Sequence, residues 1–423
     1  VTPAGSLGPE VLARVEERLV AADRVLERGY PGDDGSRQPV HTVYVPADRY
    51  RAGLAADWGE QACDVLAGAG GAEALLEQVG VDPGDREAVA AAVERKLAEE
   101  PVEDLRIDLE DGYGDHGDAE EDQAVEVAVA ALAEERAEAG ATATPFVGIR
   151  FKSLERPTWA RGLRTLDAFV TGLARTGGLP EGLVLTLPKV TSVEQVEAMV
   201  LVCGHLEGAL DLPQGRLRFE VQVETPQAVL GPDGTALVAR MVHAGSGRVS
   251  GLHYGTYDYS ASLGIAAQYQ AMDHPAADHA KAVMQLAAAG TGVRLSDGST
   301  NVLPVGEPRQ VREAWALHGR LVRRSLERGY YQGWDLHPGQ LPSRFAATYA
   351  FYRAAFPQAA DRLAGYLGRA GGAVLDEPAT ARAMAWSLQR GVDCGALTAE
   401  EVAARTGVDG PALARLARTG RLG

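Results

Sequence analysis

Five short apolar runs in this chain each end in residues able to hold or activate a carboxylate, one after another. Leu105–Leu109 runs into Glu110 and Asp111, Phe146–Ile149 ends at Arg150, and Leu183–Leu187 is followed by Pro188 and Lys189. Phe219–Val223 is followed by Glu224, with Gln222 two residues earlier, and Val249–Tyr254 leads through Gly255 and Thr256 to Asp258. One charged residue after a strand is common, whereas acids and bases after five consecutive strands imply a shared pocket. Glu224 and Asp258 form a pair of hard oxygen donors. With water and substrate oxygens they suit the octahedral shell of Mg²⁺, Mn²⁺ or another divalent metal. A cation there polarises a carbonyl and stabilises an enolate as it forms. A lone Glu at a strand end also fits a salt bridge or a helix cap. The compact block Gln222, Glu224, Thr225, Pro226, and Gly251 and Gly255 near Asp258, weigh toward a ligand, because glycine lets backbone approach closely.

Arg150 needs an anionic partner if buried, and its planar fork suits a carboxylate in two-point contact. A protein acid or a substrate carboxylate could serve, and an acidic mouth that must attract an anion favours the substrate. In Asp108-Leu109-Glu110-Asp111-Gly112, alternation points Asp108 and Glu110 to one side and Asp111 to the other. Three acids so close need cations or metal-bound water, and a raised pKa on one would suit proton transfer. The bland alternative is a solvated acidic loop. Lys189 is one of only four lysines (Lys96, Lys152, Lys189, Lys281). It could form a Schiff base, but beside a metal-binding acid pair a fixed positive charge is the favoured role. His337 closes the last strand-like run, and its role as a loop-holding hydrogen-bond partner weighs equally with that of a ligand or proton-transfer group. The substrate-binding set is expected to be Arg150, Gln222, Gly255, Thr256 and His337, with Asp111, Glu110, Arg150 and Lys189 catalytic.

These residues need a scaffold that brings strand ends together. Strand-like runs at His41–Val45, Leu105–Leu109, Phe146–Phe151, Leu183–Leu187, Leu217–Val223, Val249–Tyr254, Asn301–Val305 and Tyr331–Leu336 alternate with helix-like segments, and several are apolar on both faces. Eight such pairs predict an α/β fold, a (β/α)8 TIM barrel, in which every strand's C-terminal end opens onto one mouth. An open doubly wound sheet usually carries a Gly-rich turn after its first strand, and Pro46-Ala47-Asp48-Arg49 is not one. The barrel is assigned to 1–358, with a long insertion after strand 1 (about 51–100) expected to hold two or three helices. A C-terminal helical extension follows at 359–423, broken by glycines including Gly365, Gly371, Gly372 and Gly391. Its stretch from Leu397 through Gly407 to Asp409 and onward superficially resembles a helix-turn-helix, read here as two amphipathic packing helices.

The 423 residues carry 41 basic and 58 acidic side chains, a net charge of −17. That balance argues against nucleic acid and anionic lipid as partners, and an anionic substrate must then find local positive charge. No run reaches membrane-spanning length. No export-signal pattern is visible at the N-terminus, and Cys63, Cys203 and Cys394 are widely spaced, so a cytoplasmic location is expected.

The motifs, taken in order, resemble those of the HpcH/HpaI aldolase and citrate lyase β-subunit family, which includes malyl-CoA-type lyases. The resemblance covers Thr42 to Pro342. It consists of Val45–Asp48, Asp108–Asp111, Gly148–Arg150, Leu187–Lys189, Gln222–Pro226, Gly255–Tyr259 and Leu336–Gln340. It implies a (β/α)8 barrel, a divalent metal on Glu224 and Asp258, a substrate carboxylate held by Arg150, proton transfer by Glu110 and Asp111, and a homo-oligomer. Phe151-Lys152-Ser153 departs from the Asn that CoA-using relatives carry after the arginine. The expectation is a divalent-metal-dependent carbon–carbon lyase or aldolase acting on a small anionic 2-oxo acid resembling pyruvate or oxaloacetate. The alternatives are a CoA-ester lyase or malate-synthase-like condensing enzyme on the same metal site, a Schiff-base aldolase using Lys189, and a non-catalytic barrel that binds a partner through its helical tail.

Overall fold

A computed structural model describes residues 7–139, 144–368 and 378–420; Gly371, Gly372 and the first six residues, where an export signal was sought, lie outside them. Eight strands run parallel: β1 (His41–Pro46), β2 (Asp104–Asp108), β3 (Phe146–Arg150), β4 (Leu183–Leu187), β5 (Phe219–Val223), β6 (Val249–Tyr254), β7 (Arg294–Ser296) and β8 (Gly333–Asp335). Each pairs with its sequence neighbour from β1 to β7, and β8 returns to pair with β1. A parallel bridge between Ser296 and Gln332 joins β7 to the start of β8, so the sheet closes into the expected barrel.

The seventh strand is a correction. Asn301–Val305 is irregular, with Val302 and Val305 about half exposed, and the strand is Arg294–Ser296. Pro304 lacks the N–H a barrel ladder needs, whereas Arg294–Ser296 pairs with Gly251–His253 of β6.

Alternation along the strands sorts the barrel's two surfaces. On β5, Phe219, Val221 and Val223 belong to the apolar core shared with the outer helices. Glu220 and Gln222 lie in the barrel, where the interior is charged rather than apolar. Arg106 Nη2 pairs with Glu220 at 3.0 Å, its Nη1 pairs with Asp104, and His253 Nε2 lies 2.9 Å from Glu220. Thr42 donates to Asp104 at 2.8 Å and Thr186 to Glu220 at 2.6 Å. The reading of strands apolar on both faces therefore holds for their outer sides only.

Three helices, Leu54–Gly68, Gly71–Val79 and Arg86–Glu99, fill the β1–β2 connection. They form a second core with Trp315, Phe345 and Tyr349 from the helices flanking β8. The helix Leu341–Gly368 continues unbroken through position 359 despite Pro357. Beyond it, Pro378–Asp393, Ala399–Thr406 and Gly410–Thr419 pack into a small cluster that includes Leu363, Leu388, Val402 and Leu416. The resemblance to a helix-turn-helix thus resolves into two capped helices whose apolar faces are buried. Among the described residues no helix is long and apolar enough to cross a membrane.

Candidate active site

The strand ends converge as the alternation requires. Arg150, 4% exposed, closes β3 and makes a two-point contact with Asp108 on β2: Nε and Nη2 each donate at 2.7 Å. Asp108 also accepts from the backbone N–H groups of Glu110 (3.0 Å) and Gly112 (2.8 Å). A side chain at position 112 would collide with that carboxylate, so the glycine there permits the turn. The guanidinium lies over the Tyr44 ring at 4.8 Å and the Trp334 ring at 5.5 Å. Sequence reasoning favoured a substrate carboxylate for this fork. In the structure a protein acid fills one edge, leaving Nη1, which faces Glu110 Oε2 at 3.5 Å.

Lys189 sits after β4 in the left-handed region, with φ 49°. This conformation costs an L-residue roughly 1–2 kcal/mol, and it places two groups at once. The backbone N–H donates to Glu224 Oε1 at 2.8 Å, and Nζ bridges Glu110 and, at 2.5 Å, Asp111. Burial alone would lower the Lys189 pKa, but the two carboxylates hold it well above the ordinary lysine range. Two adjacent carboxylates favour the charged ammonium, whereas a Schiff base requires the neutral amine. Burial raises the Glu110 carboxyl, aided by Asp111 and opposed by Arg150 and Lys189. Asp111, exposed at the rim, is held low by Lys189 despite its own partial desolvation. The acid pair is therefore split into one carboxylate that retains a proton more readily and one that does not.

Glu224, 2% exposed, ends β5. Burial, then the charge of Asp258, push its carboxyl from 4.5 up to about 8, against the pull of Arg150 and Lys189. Asp258 stands exposed in the first turn of the helix Thr256–Ser262. Desolvation raises its carboxyl, with Lys189 opposing and Asp111 adding to the rise. A Cβ on Gly255 would fall 2.5 Å from Glu224 Cβ and 2.6 Å from Oε2, so Gly255 is the residue that lets Glu224 lie against β6.

Gln222, 1% exposed, reaches Tyr44 Oη at 3.5 Å, while its Oε1 has no hydrogen-bond partner among the described residues. Whichever way the amide is turned, one end remains unpaired. Trp334 Nε1 is likewise buried without a partner. Thr256 is buried and accepts from the Ser299 N–H at 3.2 Å. His337 Nδ1 accepts from the Gly339 N–H at 3.0 Å and burial lowers the ring's pKa, so this neutral histidine secures the last loop. Asp108, Tyr44 and Trp334 are the members of the site that sequence reasoning did not assign.

Among the described residues no cluster of three or more His, Cys, Asp or Glu side chains is arranged to hold a metal ion. The donor set is instead two carboxylates whose fields reach each other, one of them buried with a raised pKa. That fits a hard divalent cation, which keeps most of its ligands as water and substrate oxygens. A separate cavity of about 260 Å³ opens at the opposite end of the barrel, lined by Arg216, Arg218 and Arg294 among others. It contains none of these mouth residues.

Fold and site together define a (β/α)8-barrel protein with an acidic mouth. The chain belongs to the family described as a domain of unknown function, DUF6986, whose model matches residues 19–420. No curated protein matches the sequence. Among solved structures, Haloferax volcanii malate synthase in a lead(II) complex is 15% identical with a TM-score of 0.49, covering 84% of this chain and 88% of its own. CitE from Mycobacterium tuberculosis, in complex with magnesium, acetoacetate and coenzyme A, is 17% identical with a TM-score of 0.45, covering 85% and 99%. An HpcH/HpaI aldolase/citrate lyase family protein from Burkholderia cenocepacia is 16% identical with a TM-score of 0.40, covering 80% and 97%.

Proposed function

We propose that this protein is a divalent-metal-dependent carbon–carbon lyase of the aldolase kind, acting on a small 2-oxo acid. The observation that carries the reading is Glu224: a carboxylate buried at a barrel mouth, facing a second carboxylate, with its proton affinity raised to about 8. Such a group calls for a cation, which Asp258, whose charge acts on Glu224, would share. A divalent ion held by Glu224 and Asp258 would polarise the substrate's carbonyl and favour the negative charge that develops when the adjacent carbon loses a proton or a carbon–carbon bond breaks.

The remaining roles fall to the chain's own side chains. Arg150, locked by Asp108 and flanked by Tyr44 and Trp334, presents Nη1 as an oriented donor for a substrate carboxylate. Lys189 adds fixed positive charge beside Glu110 and Asp111, and burial raises Glu110 against that charge, so that Glu110 can hold or return a proton at the reacting carbon. The unpaired ends of Gln222 and Trp334 offer an acceptor and a donor for substrate oxygens. Thr256 and Gly255 shape the wall, and His337 acts through the loop it secures.

The resemblance of the motifs to the HpcH/HpaI and citrate lyase β-subunit family supports the reading. A CoA-ester lyase or malate-synthase-like condensing reaction is the second reading, because the same site chemistry serves both. Pyruvate plus a panel of aldehydes, set against acetyl-CoA plus glyoxylate, each with Mg²⁺ or Mn²⁺, separates the two. Carbon–carbon bond formation only with the first pair supports the aldolase, and formation only with the second assigns the condensing enzyme. Turnover unaffected by a chelator overturns both.

A further inference from the structure

We propose that the N-terminal helix Pro9–Gly29 is a self-association element that pairs in parallel with the same helix of a second copy of this chain. None of its 21 residues is buried. Leu12, Val15, Leu19 and Leu26 are 53%, 47%, 54% and 57% exposed. With Ala22 between the last two, these positions are separated by steps of three, four, three and four residues. That alternation keeps them on one seam, the pattern by which one helix packs along another. In proteins most helical stability comes from packing an amphipathic face rather than from propensity. Among the described residues, the contacts that tie this helix to the protomer lie just beyond its C-terminal end, where the Tyr30 ring lies 5.2 Å from His243 and the Gly32 N–H donates to Gly290 at 2.8 Å.

The residues beside the seam select the occupant. Arg18 flanks it on one side, with Glu16 and Asp23 on the other. In a parallel pair, Arg18 of each copy meets Asp23 of its partner, five residues further on, and symmetry makes the contact twice. An antiparallel pair would set Glu16 against Asp23. The helix carries five acids (Glu10, Glu16, Glu17, Asp23, Glu27) against four arginines (Arg14, Arg18, Arg24, Arg28). It therefore lacks the positive face that draws an amphipathic helix to an anionic membrane. A seam that is apolar, self-complementary in charge and uncovered by its own protomer fits a second copy. The inference stands independently of the reaction proposed above.

Sedimentation equilibrium on the full chain tests it. The wild type is expected to associate, and Leu12→Asp with Leu19→Asp to halve the assembly mass while circular dichroism and melting of the barrel stay unchanged. Arg18→Asp alone should weaken association about tenfold, since each of two symmetric attractions becomes a repulsion. Arg18→Asp with Asp23→Arg should restore it. Mild oxidation should cross-link Ala22→Cys across the seam but not Glu17→Cys on the outer face, with the wild type controlling for Cys63. A monomeric wild type, an assembly mass indifferent to the Leu12 and Leu19 substitutions, or equal cross-linking at positions 17 and 22 overturns the proposal.

Discussion

Replacing Glu224 with glutamine should stabilise the metal-free protein at alkaline pH while abolishing its response to divalent cations. In the folded protein this carboxyl is raised from 4.5 to about 8 by burial and by Asp258. At about 1.4 kcal/mol per pKa unit, ionising it in the folded state costs about 5 kcal/mol more than in an unfolded chain. The folded state binds this proton more tightly, so the contribution of Glu224 to stability is greatest below pH 4.5 and falls as pH rises toward 8. By pH 7 the loss is about 3 kcal/mol, and above 8 it is complete. This is a large share of the roughly 5–15 kcal/mol that holds a typical protein folded. A divalent cation bound at Glu224 and Asp258 would reverse the loss by stabilising the ionised form. Urea unfolding across this pH range, with chelator or with Mn²⁺, reads the effect. Wild type with chelator should lose stability through the window and recover with Mn²⁺. Glu224→Gln should show a much shallower slope and no recovery. Equal slopes in the two proteins, or equal stabilisation of both by Mn²⁺, would refute the reasoning.

Three other substitutions probe the neighbouring supports. Gly255→Ala puts a Cβ within 2.6 Å of Glu224 Oε2, so metal affinity should fall at least about tenfold and stability by about 1–3 kcal/mol, read by Mn²⁺ titration and unfolding. Asp108→Asn makes the two-point partner of the buried Arg150 neutral, leaving Glu110 at 3.5 Å as its charged neighbour, and should cost about 3–5 kcal/mol in denaturant unfolding; a loss under 1 kcal/mol would show that the pair is dispensable. Lys189→Met should lower turnover by about 100-fold or more. Borohydride with a 2-oxo acid should leave wild-type Lys189 unmodified, and a trapped adduct at Lys189 would replace the fixed-charge role with a Schiff base.

Much of this arrangement was legible because strand alternation and strand order carry it. Arg150 closes β3, Glu224 follows β5 directly and Lys189 follows β4 after Pro188, so each is carried at a strand end. Once the strands are parallel neighbours, their ends must meet. The seventh strand was misplaced because Arg294–Ser296 is three residues with no apolar run, while Asn301–Val305 looks like a strand until Pro304 is weighed. Tyr44 and Trp334 escaped notice for another reason. They flank Arg150 from β1 and β8, and only barrel closure brings those strands together. The choice of Asp108 over a substrate as Arg150's two-point partner depends on the turn through Gly112. That geometry aims both oxygens of one carboxylate, and no spacing rule expresses it.

The central claim is that Glu224 and Asp258 support cation-dependent enolisation of a 2-oxo acid. The most direct measurement is the proton NMR signal of the pyruvate methyl group in D₂O, followed with the protein and Mg²⁺ or Mn²⁺. The account predicts that the signal decays in the presence of the ion, persists with chelator, and persists with Glu224→Gln even when the ion is supplied. Decay that ignores the chelator, or that survives in the Glu224 variant, would contradict it.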